Sequence, residues 1–248
     1  MAVSEQTSAS ATPGLFPRTR WSVVLAAAGS SPAQSEALEL LCHAYWYPLY
    51  AYARRCGQSP HDAQDLTQEF FRLLLEKCWL ADADREKGRL RTFLITALKH
   101  FMAKEWRRAT AQRRGGDQAP VPLDTAIAES RFAADPASGL GAEAAFDRQW
   151  ALTLLDLTLR RLEQEFAAVD KTGEFDALKS CLTAARGTLD YAALAGRLGA
   201  SEGAARVAVH RLRKRFREIY REEIAHTLPD DGDLESELRH LAAALAAA

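Results

Sequence analysis

The stretch LDYAALAGRLGASEGAARVAVHRLRKRFREIYREE, residues 189–223, decides the fold. A short apolar segment runs to Gly199, and a longer helix begins after Ser201, a residue type that commonly caps helix N-termini. A helix, a tight turn containing glycine and a second, basic helix together form the pattern of a helix-turn-helix. The pattern predicts that the second helix enters the major groove of DNA.

The second helix separates apolar from basic residues. Its spacing predicts one buried stripe, made of Ala205, Ala208, Leu212, Phe216 and Ile219. A basic stripe lies beside it, made of Arg206, His210, Arg213 and Arg217 and widened by Arg211, Lys214 and Arg215. Seven Lys or Arg residues against one acid between residues 206 and 221 leave about six positive charges. The alternative is a solvated basic face on an ordinary helix, but the preceding helix and turn favour DNA binding.

The 248-residue chain has enough apolar residues for a core and almost no net charge. Hydrophobic residues make up 48% of it, and the formal net charge is −1. Bulk positive charge therefore does not drive binding to nucleic acid, and any affinity must come from charge segregated along the chain. The length suits one large or two small domains.

The cysteines and the absence of long apolar runs indicate a cytoplasmic protein. Cys42, Cys56, Cys78 and Cys181 form no CxxC pair and read as reduced thiols. Cys56 and Cys78 with His61 are too irregularly spaced for a metal site, so we expect no metal and no cofactor. No signal peptide or membrane-spanning run is apparent.

Strand signals are nearly absent, and the fold class that we predict is all-α. Proline after serine, at residues 31–32 and 59–60, starts helices that run to about Arg55 and Lys77. The second of these helices carries an acidic stripe of Asp62, Asp65, Glu69 and Glu76. Such a stripe is either solvent-facing charge or a docking face for a basic partner helix.

A polar loop, residues 79–89, precedes a second basic helix at residues 91–114. From residue 99 to residue 114 six Lys or Arg residues oppose one acid. Phe101 and Trp106 are interleaved with this charge, which is typical of surfaces that stack bases as well as bind phosphates. The alternative is that both rings belong to the core, which we favour for Phe101. The helix is a second predicted nucleic-acid-facing segment.

Composition divides the chain into two helical domains. Residues 1–17 are predicted to be disordered, and residues 18–114 form the first domain, which begins with a short helix at 21–28. Residues 115–145, rich in Pro and Gly, are a flexible linker with at most a transient turn of helix. Helices at 146–169 and 175–182 lead into the helix-turn-helix of the second domain, 146–227. An acidic tail with a short helix at 238–246 completes the chain.

This arrangement resembles the extracytoplasmic-function (ECF) group of the sigma-70 family of bacterial RNA polymerase sigma factors. The resemblance covers about residues 36–223. DAQDLTQEFFRLL, residues 62–74, is similar to the region 2 helix that docks on the clamp helices of the polymerase largest subunit. RLRTFLITALKHFMAKEWRR, residues 89–108, is similar to the segment that melts and reads the minus-ten element. Residues 191–216 are similar to the region 4 helix-turn-helix that reads the minus-thirty-five element.

The resemblance implies roles for individual residues. Polymerase docking falls to Asp62, Asp65, Leu66, Glu69 and Phe70. Minus-ten contacts fall to Lys99, His100, Lys104, Trp106, Arg107 and Arg108, and the loop before them lies where the family captures a flipped base. Minus-thirty-five contacts fall to Ser201, Glu202, Arg206, His210, Arg211, Arg213 and Lys214. Val207-Ala208 replaces a Ser-Arg pair that is common in the family.

The function implied is a sigma factor that directs core RNA polymerase to a specific set of bacterial promoters. The partners implied are core RNA polymerase, through its clamp helices and flap region, promoter DNA, and an anti-sigma protein or regulatory kinase; Thr67 is a candidate phosphorylation site. The expected location is the cytoplasm, in association with the nucleoid. The alternative function is a stand-alone helix-turn-helix regulator.

Two further points concern activity and the tail. The sequence contains no phosphate-binding loop and no catalytic cluster, so we expect no enzymatic activity. The tail either folds back over the basic face of the second domain and competes with DNA, or is a small packing helix.

Overall fold

The computed structural model describes residues 32–76, 89–111, 125–135, 139–185, 187–228 and 232–247. Over this part of the chain the secondary structure is helical, with no strand, which confirms the all-α prediction. The predictions for residues 1–17, 21–28 and 79–88 fall outside the described residues. Among the described helices, none is long and apolar enough to cross a membrane.

The described helices follow the predicted order. We number them α1 to α9; they are Pro32–Arg55, Pro60–Glu76, Leu90–Ala111, Thr125–Ala133, Ala142–Ala167, Thr172–Leu178, Tyr191–Leu198, Glu202–Ala225 and Leu234–Ala246. A short 3₁₀ helix, Lys179–Leu182, follows α6 directly. Most bounds lie within four residues of the predicted ones, because proline and capping residues mark the helix ends locally.

Helix α4 and the start of α5 lie in the segment predicted to be a flexible linker. A nine-residue helix is marginal in isolation, so tertiary contacts must stabilise it. Glu129 of α4 accepts a hydrogen bond from the Tyr50 hydroxyl and two from Arg54 of α1, at 2.8 and 3.2 Å. Ala128 packs in a small cluster with buried residues of α1 and α2. These contacts join residues 75 to 79 positions apart in sequence, which local composition does not indicate.

The main hydrophobic core contains residues from both predicted domains. Helices α1 and α5 pack along each other, and the Tyr45 ring stacks on the Trp150 indole with centroids 4.3 Å apart. Buried members of this core include Leu49, Phe70, Leu74, Leu94, Leu98, Phe146, Leu154, Ile224 and Leu241. In the conformation described, the first and second halves of the chain therefore share one core.

A second apolar cluster stabilises the helix-turn-helix itself. Its buried members come from α5 to α8 and from the 3₁₀ helix, and include Leu162, Phe175, Leu178, Cys181, Leu194, Leu212 and Ile219. Helix α8 also contributes Ile224 to the main core, so it spans both clusters. The helix-turn-helix is thus fixed to the rest of the molecule through α5 and α8.

The C-terminal helix α9 packs against α5 and α8. Leu241 is fully buried in the main core, and the Arg148 guanidinium donates to the Leu245 carbonyl at 3.0 Å. These contacts agree with the packing helix rather than with a segment laid over the basic face of α8.

Candidate nucleic-acid and polymerase interface

Two N-terminal caps and one left-handed glycine set the ends of the helices in the helix-turn-helix. The Asp190 carboxylate caps α7 by accepting from the Ala193 amide at 3.0 Å. Gly199 ends α7 with φ +61°, a left-handed conformation that glycine adopts most readily. The Ser201 hydroxyl oxygen then caps α8 by accepting from the Ala204 amide at 3.2 Å. The predicted turn therefore has the geometry that its residue types favour.

The apolar face of α8 differs slightly from the predicted stripe. Ala205, Leu212 and Ile219 are buried as predicted, whereas Ala208 and Phe216 are only partly buried. Val209, which the prediction omitted, is 2% exposed. It lies four residues after Ala205 and three before Leu212, at the centre of the same helical face.

The opposite face of α8 brings most of the predicted minus-thirty-five residues together. Those exposed on it are Ser201, Glu202, Arg206, His210, Arg211 and Lys214, and Arg217 continues the same face. The Arg206 guanidinium lies 4.2 Å above the Tyr191 ring centroid and 3.8 Å from the Glu202 carboxylate. Arg206 is therefore held beside the turn, at the end of the helix that a helix-turn-helix presents to base edges.

Arg213 has a structural role instead of the predicted one. Its guanidinium donates to the Cys181 carbonyl at 3.0 and 2.7 Å and to the Ala184 carbonyl at 2.8 Å. Carbonyls at the end of a helix lack partners within it, and Arg213 supplies these partners for the 3₁₀ helix. The sequence prediction that Arg213 contacts DNA is therefore corrected: in the structure this side chain binds backbone carbonyls of the protein.

Arg215 is likewise turned toward the protein. Its guanidinium donates to both oxygens of Glu165 in α5, at 2.7 and 2.6 Å, and lies 3.3 Å from Glu218 and 3.5 Å from Glu222. The hydrogen bonds to Glu165 raise the pKa of Arg215 further above its usual range. This bidentate pair joins α5 to the recognition helix.

Asp62, Asp65 and Glu69 of the acidic stripe lie on the surface of α2, and each carboxylate has a partner on or next to the same helix. Asp62 accepts from the Ser59 hydroxyl at 2.7 Å, in the turn that caps the helix. Asp65 lies 3.1 Å from His61, and Glu69 accepts from Arg72 at 2.5 and 2.6 Å. Such exposed pairs contribute little stability and are easily exchanged for a partner's charges.

Phe70 and Thr67 of α2, for which the sequence predicted contact with a partner and phosphorylation, are buried. Phe70 is fully buried in the main core, so the prediction that it contacts a partner is wrong, and Leu66 is partly buried against the same core. Thr67 is also fully buried, and its hydroxyl donates to the Ala63 carbonyl at 2.7 Å. A kinase cannot reach this hydroxyl in the folded chain, which corrects the proposed phosphorylation site.

Helix α3 carries the predicted minus-ten residues. His100 and Lys104 are exposed, whereas Lys99 is partly buried and pairs with Glu143 of α5. Trp106, Arg107 and Arg108 lie within α3, but their side chains are outside the described part of the structure. Phe101 is 3% exposed and belongs to the core, as favoured from the sequence.

A groove of about 800 Å³ opens between α5, α6 and the helix-turn-helix. Its apolar lining includes Phe166, Val169, Leu198, Val207 and Ala208, and Arg197 and Arg211 add charge. Val169 is 61% exposed and Val207 is 48% exposed, which is high for large apolar residues. Sequence reasoning missed this groove because its walls come from segments separated by about 30 residues.

A cluster of charged residues, also missed from the sequence, joins α3 to α5 and α9. Arg91 is buried and binds both Glu237 of α9 and Asp147 of α5. The acidic tail and the arginines at the start of α3 were visible in the sequence, but nothing local indicates that Arg91 and Glu237 pair across 146 residues. Within the described ranges, no group of three or more His, Cys, Asp or Glu residues is placed to hold a metal ion.

Residues 42–112 match the model of the family described as Sigma-70 region 2. The match begins in α1 and ends just after α3, so it contains the acidic helix and the first basic helix. It supports membership of the sigma-70 family, whose members are non-enzymatic factors for promoter recognition in partnership with core RNA polymerase. No curated protein and no solved structure matches the chain.

Proposed function

We propose that the protein is a sigma factor of the ECF group, which binds core RNA polymerase and directs initiation at a specific set of promoters. The observation that carries the proposal is the order of two elements. A segment that matches Sigma-70 region 2 is followed by a fully capped helix-turn-helix with a basic exposed face. In this proposal residues 18–114 act as region 2 and residues 146–227 as region 4.

The exposed carboxylates of α2 are the proposed contact for the basic clamp helices of the largest polymerase subunit. The partners of Asp65 and Glu69 described above, His61 and Arg72, are local and exposed, so a basic helix can replace them at small cost. Changing both residues to lysine should weaken core binding by at least about tenfold. Asp156→Lys is a matched control, since Asp156 is an exposed carboxylate on α5 paired with Arg160. If the double variant binds core polymerase as tightly as wild type, Asp65 and Glu69 do not form the clamp contact.

The exposed face of α8 is the proposed reader of the minus-thirty-five element. Arg206, His210 and Arg211 lie in its N-terminal half and are the candidates for base contacts, whereas Lys214 and Arg217 suit phosphates. Arg206→Ala should change base preference at one position, by about 1–3 kcal/mol if the contact is bidentate. An even loss of affinity over all promoter sequences would indicate that Arg206 contacts a phosphate and not a base. Lys214→Ala is the comparison expected to give that even loss.

The groove beside α8 is the proposed contact for the polymerase flap region. The exposed Val169 suits an apolar helix, and Arg197 suits acidic residues flanking that helix. Val169→Asp places a charge in the groove on α5's side, away from the turn, and should weaken binding of an isolated flap fragment. Retained flap binding would exclude the groove.

The proposal as a whole is tested by transcription. Purified chain added to core polymerase should support initiation from a subset of promoters, and the chain should be recovered with core in a pull-down. Binding to duplex DNA without any binding to core would instead support the stand-alone regulator. That alternative is favoured by one observation: the helix-turn-helix completes its own core without a partner. We further propose a cytoplasmic, nucleoid-associated location and regulation by an anti-sigma protein.

A further inference from the structure

The first helix of the helix-turn-helix holds an aromatic ring at a fixed position beside the turn. Tyr191 is the first residue of α7, and the Asp190 carboxylate caps that helix by accepting from the Ala193 amide at 3.0 Å. The Tyr191 ring is partly buried and packs against the second apolar cluster. Because tyrosine has only two side-chain torsions, a capped backbone and a packed ring leave it little freedom.

The Arg206 side chain reaches this ring from α8. Its guanidinium carbon lies over the Tyr191 ring, 4.2 Å from the centroid, and its Nη2 atom is 3.8 Å from an oxygen of Glu202, one turn earlier. A cation within about 6 Å of a ring centroid is attracted to the negative face of the ring. The pair with Glu202 is exposed on both sides and contributes little by itself. The ring is therefore the contact that fixes the guanidinium.

A fixed guanidinium has an advantage in reading a base. A free arginine side chain samples many rotamers, and ordering it when DNA binds costs affinity. A guanidinium that is already held in place loses less freedom. Arginine suits guanine in particular, because two of its N–H groups fit the O6 and N7 acceptors on the major-groove edge.

We propose that Tyr191 is a positioning residue, which holds Arg206 for a bidentate contact with one guanine of the minus-thirty-five element. The proposal rests on the proposed function, in which the exposed face of α8 reads that element. Tyr191 touches no base; its ring sets where the guanidinium lies before DNA arrives. Base preference at one position therefore depends on a residue outside the recognition helix.

Two other roles for Tyr191 predict different results. A hydroxyl group that donates to a phosphate predicts that Tyr191→Phe weakens binding to every sequence alike. A ring that serves only the packing of α7 predicts that Tyr191→Leu lowers stability and leaves base preference unchanged. The positioning role predicts that loss of the ring changes the preference at one base pair, and only while Arg206 is present.

The test uses holoenzyme reconstituted from core polymerase and the full chain. Promoters randomised over the minus-thirty-five element are transcribed, and those that give transcripts are sequenced. Comparison of wild type with Arg206→Ala identifies the base whose preference depends on Arg206, and this base should be guanine. Tyr191→Leu should lower the preference for that guanine about three- to tenfold, whereas Tyr191→Phe, which keeps the ring, should retain it. Replacing the guanine by 7-deazaguanine, which lacks the N7 acceptor, should weaken the wild type more than Tyr191→Leu.

A double variant and a matched control separate positioning from general damage. When Arg206 is already alanine, Tyr191→Leu should change the preference no further, because both residues act through the same contact. Tyr220→Leu is the control, since Tyr220 is also a partly buried tyrosine but lies on α8 about four turns beyond Arg206. It should leave the preference at every position of the element unchanged.

Several results would overturn the proposal. One is a folded Tyr191→Leu variant, checked by circular dichroism, that keeps the wild-type preference for guanine. Another is a base other than guanine at the position that Arg206 sets. Tyr191→Met is a second variant without a ring, and failure of both ringless variants to fold would show that the ring serves the fold instead. A wild type that selects no promoters with core polymerase would count against the proposed function itself, and the positioning role would fall with it.

Discussion

Replacing Arg213 by alanine separates the structural reading of this residue from the DNA-binding reading. Position in the basic stripe predicts a DNA contact. In the structure the guanidinium instead donates three hydrogen bonds to the carbonyls of Cys181 and Ala184. Arg213→Ala should therefore lower the free energy of unfolding and leave the affinity of the folded protein for DNA almost unchanged.

The magnitude follows from the geometry. Hydrogen bonds to charged groups contribute about 1.5–3 kcal/mol each in favourable cases. The three bonds share two acceptors, and the side chain is only half-buried, so their contributions do not add fully. A total loss of about 2–3 kcal/mol results. For a chain of this size it corresponds to a decrease in Tm of about 4–12 °C.

The assay combines urea unfolding with titration of a labelled minus-thirty-five duplex, on the full chain. Arg217→Ala is the matched control, because Arg217 is exposed on the same helix. That variant should keep its stability within about 0.5 kcal/mol and lose DNA affinity. Arg213→Lys keeps the charge but not the planar fork, so it should recover little stability.

One pattern of results would refute this reasoning. If Arg213→Ala unfolds at the same urea concentration as wild type but binds the duplex much more weakly, the guanidinium serves DNA. The hydrogen bonds to the 3₁₀ helix would then be dispensable, and the original sequence prediction would stand.

Three further predictions follow from whether particular side chains are buried or exposed. Thr67→Asp should destabilise the chain by at least about 3 kcal/mol in urea unfolding, because Thr67 is fully buried, whereas Asp at the exposed Thr92 should be tolerated. Burial raises the pKa of Tyr47 and of Tyr220 to about 12. The folded chain therefore keeps protons that the unfolded chain loses near pH 10, and stability should fall as pH rises from about 10 to 12, as followed by circular dichroism against tyrosinate absorbance. Val207 is 48% exposed on the recognition helix and should contact a thymine methyl. Replacing thymine by deoxyuracil at one position should weaken wild-type binding but not binding by Val207→Ala; equal losses for both would exclude the contact.

Local signals explain how much of the fold could be predicted from the sequence. Ser31-Pro32 and Ser59-Pro60 mark the starts of α1 and α2, and Gly199 with Ser201 marks the turn before α8. Each signal acts within a few residues of the helix end that it sets, so it can be read without knowing the tertiary structure.

Non-local contacts explain what could not be predicted. Helix α4 has a weak periodicity and is stabilised by Glu129, whose partners on α1 lie more than 70 positions away. Arg213 is indistinguishable from its basic neighbours until the 3₁₀ helix brings Cys181 against it. Glu237 reads as part of an acidic tail, although its carboxylate is 1% exposed. In each case charge was visible in the sequence and its partner was not.

Contacts within the protein also limit how many positive charges of the recognition helix α8 can reach DNA. Of its seven Lys and Arg residues, the partly buried Arg213 binds backbone carbonyls, and the partly buried Arg215 binds Glu165. Arg221 pairs with Glu235 of α9 through exposed side chains, as Arg206 does with Glu202, so it stays available to DNA. Five cations therefore remain exposed, and the slope of log K against log salt for a minus-thirty-five duplex should be no steeper than about −4.5. Using all seven would give about −6.3. A slope near the larger value, measured by anisotropy over a range of KCl concentrations, would mean that DNA draws Arg213 and Arg215 away from their protein partners. A slope near the smaller value means that pairing within the protein has already selected which cations reach the phosphates.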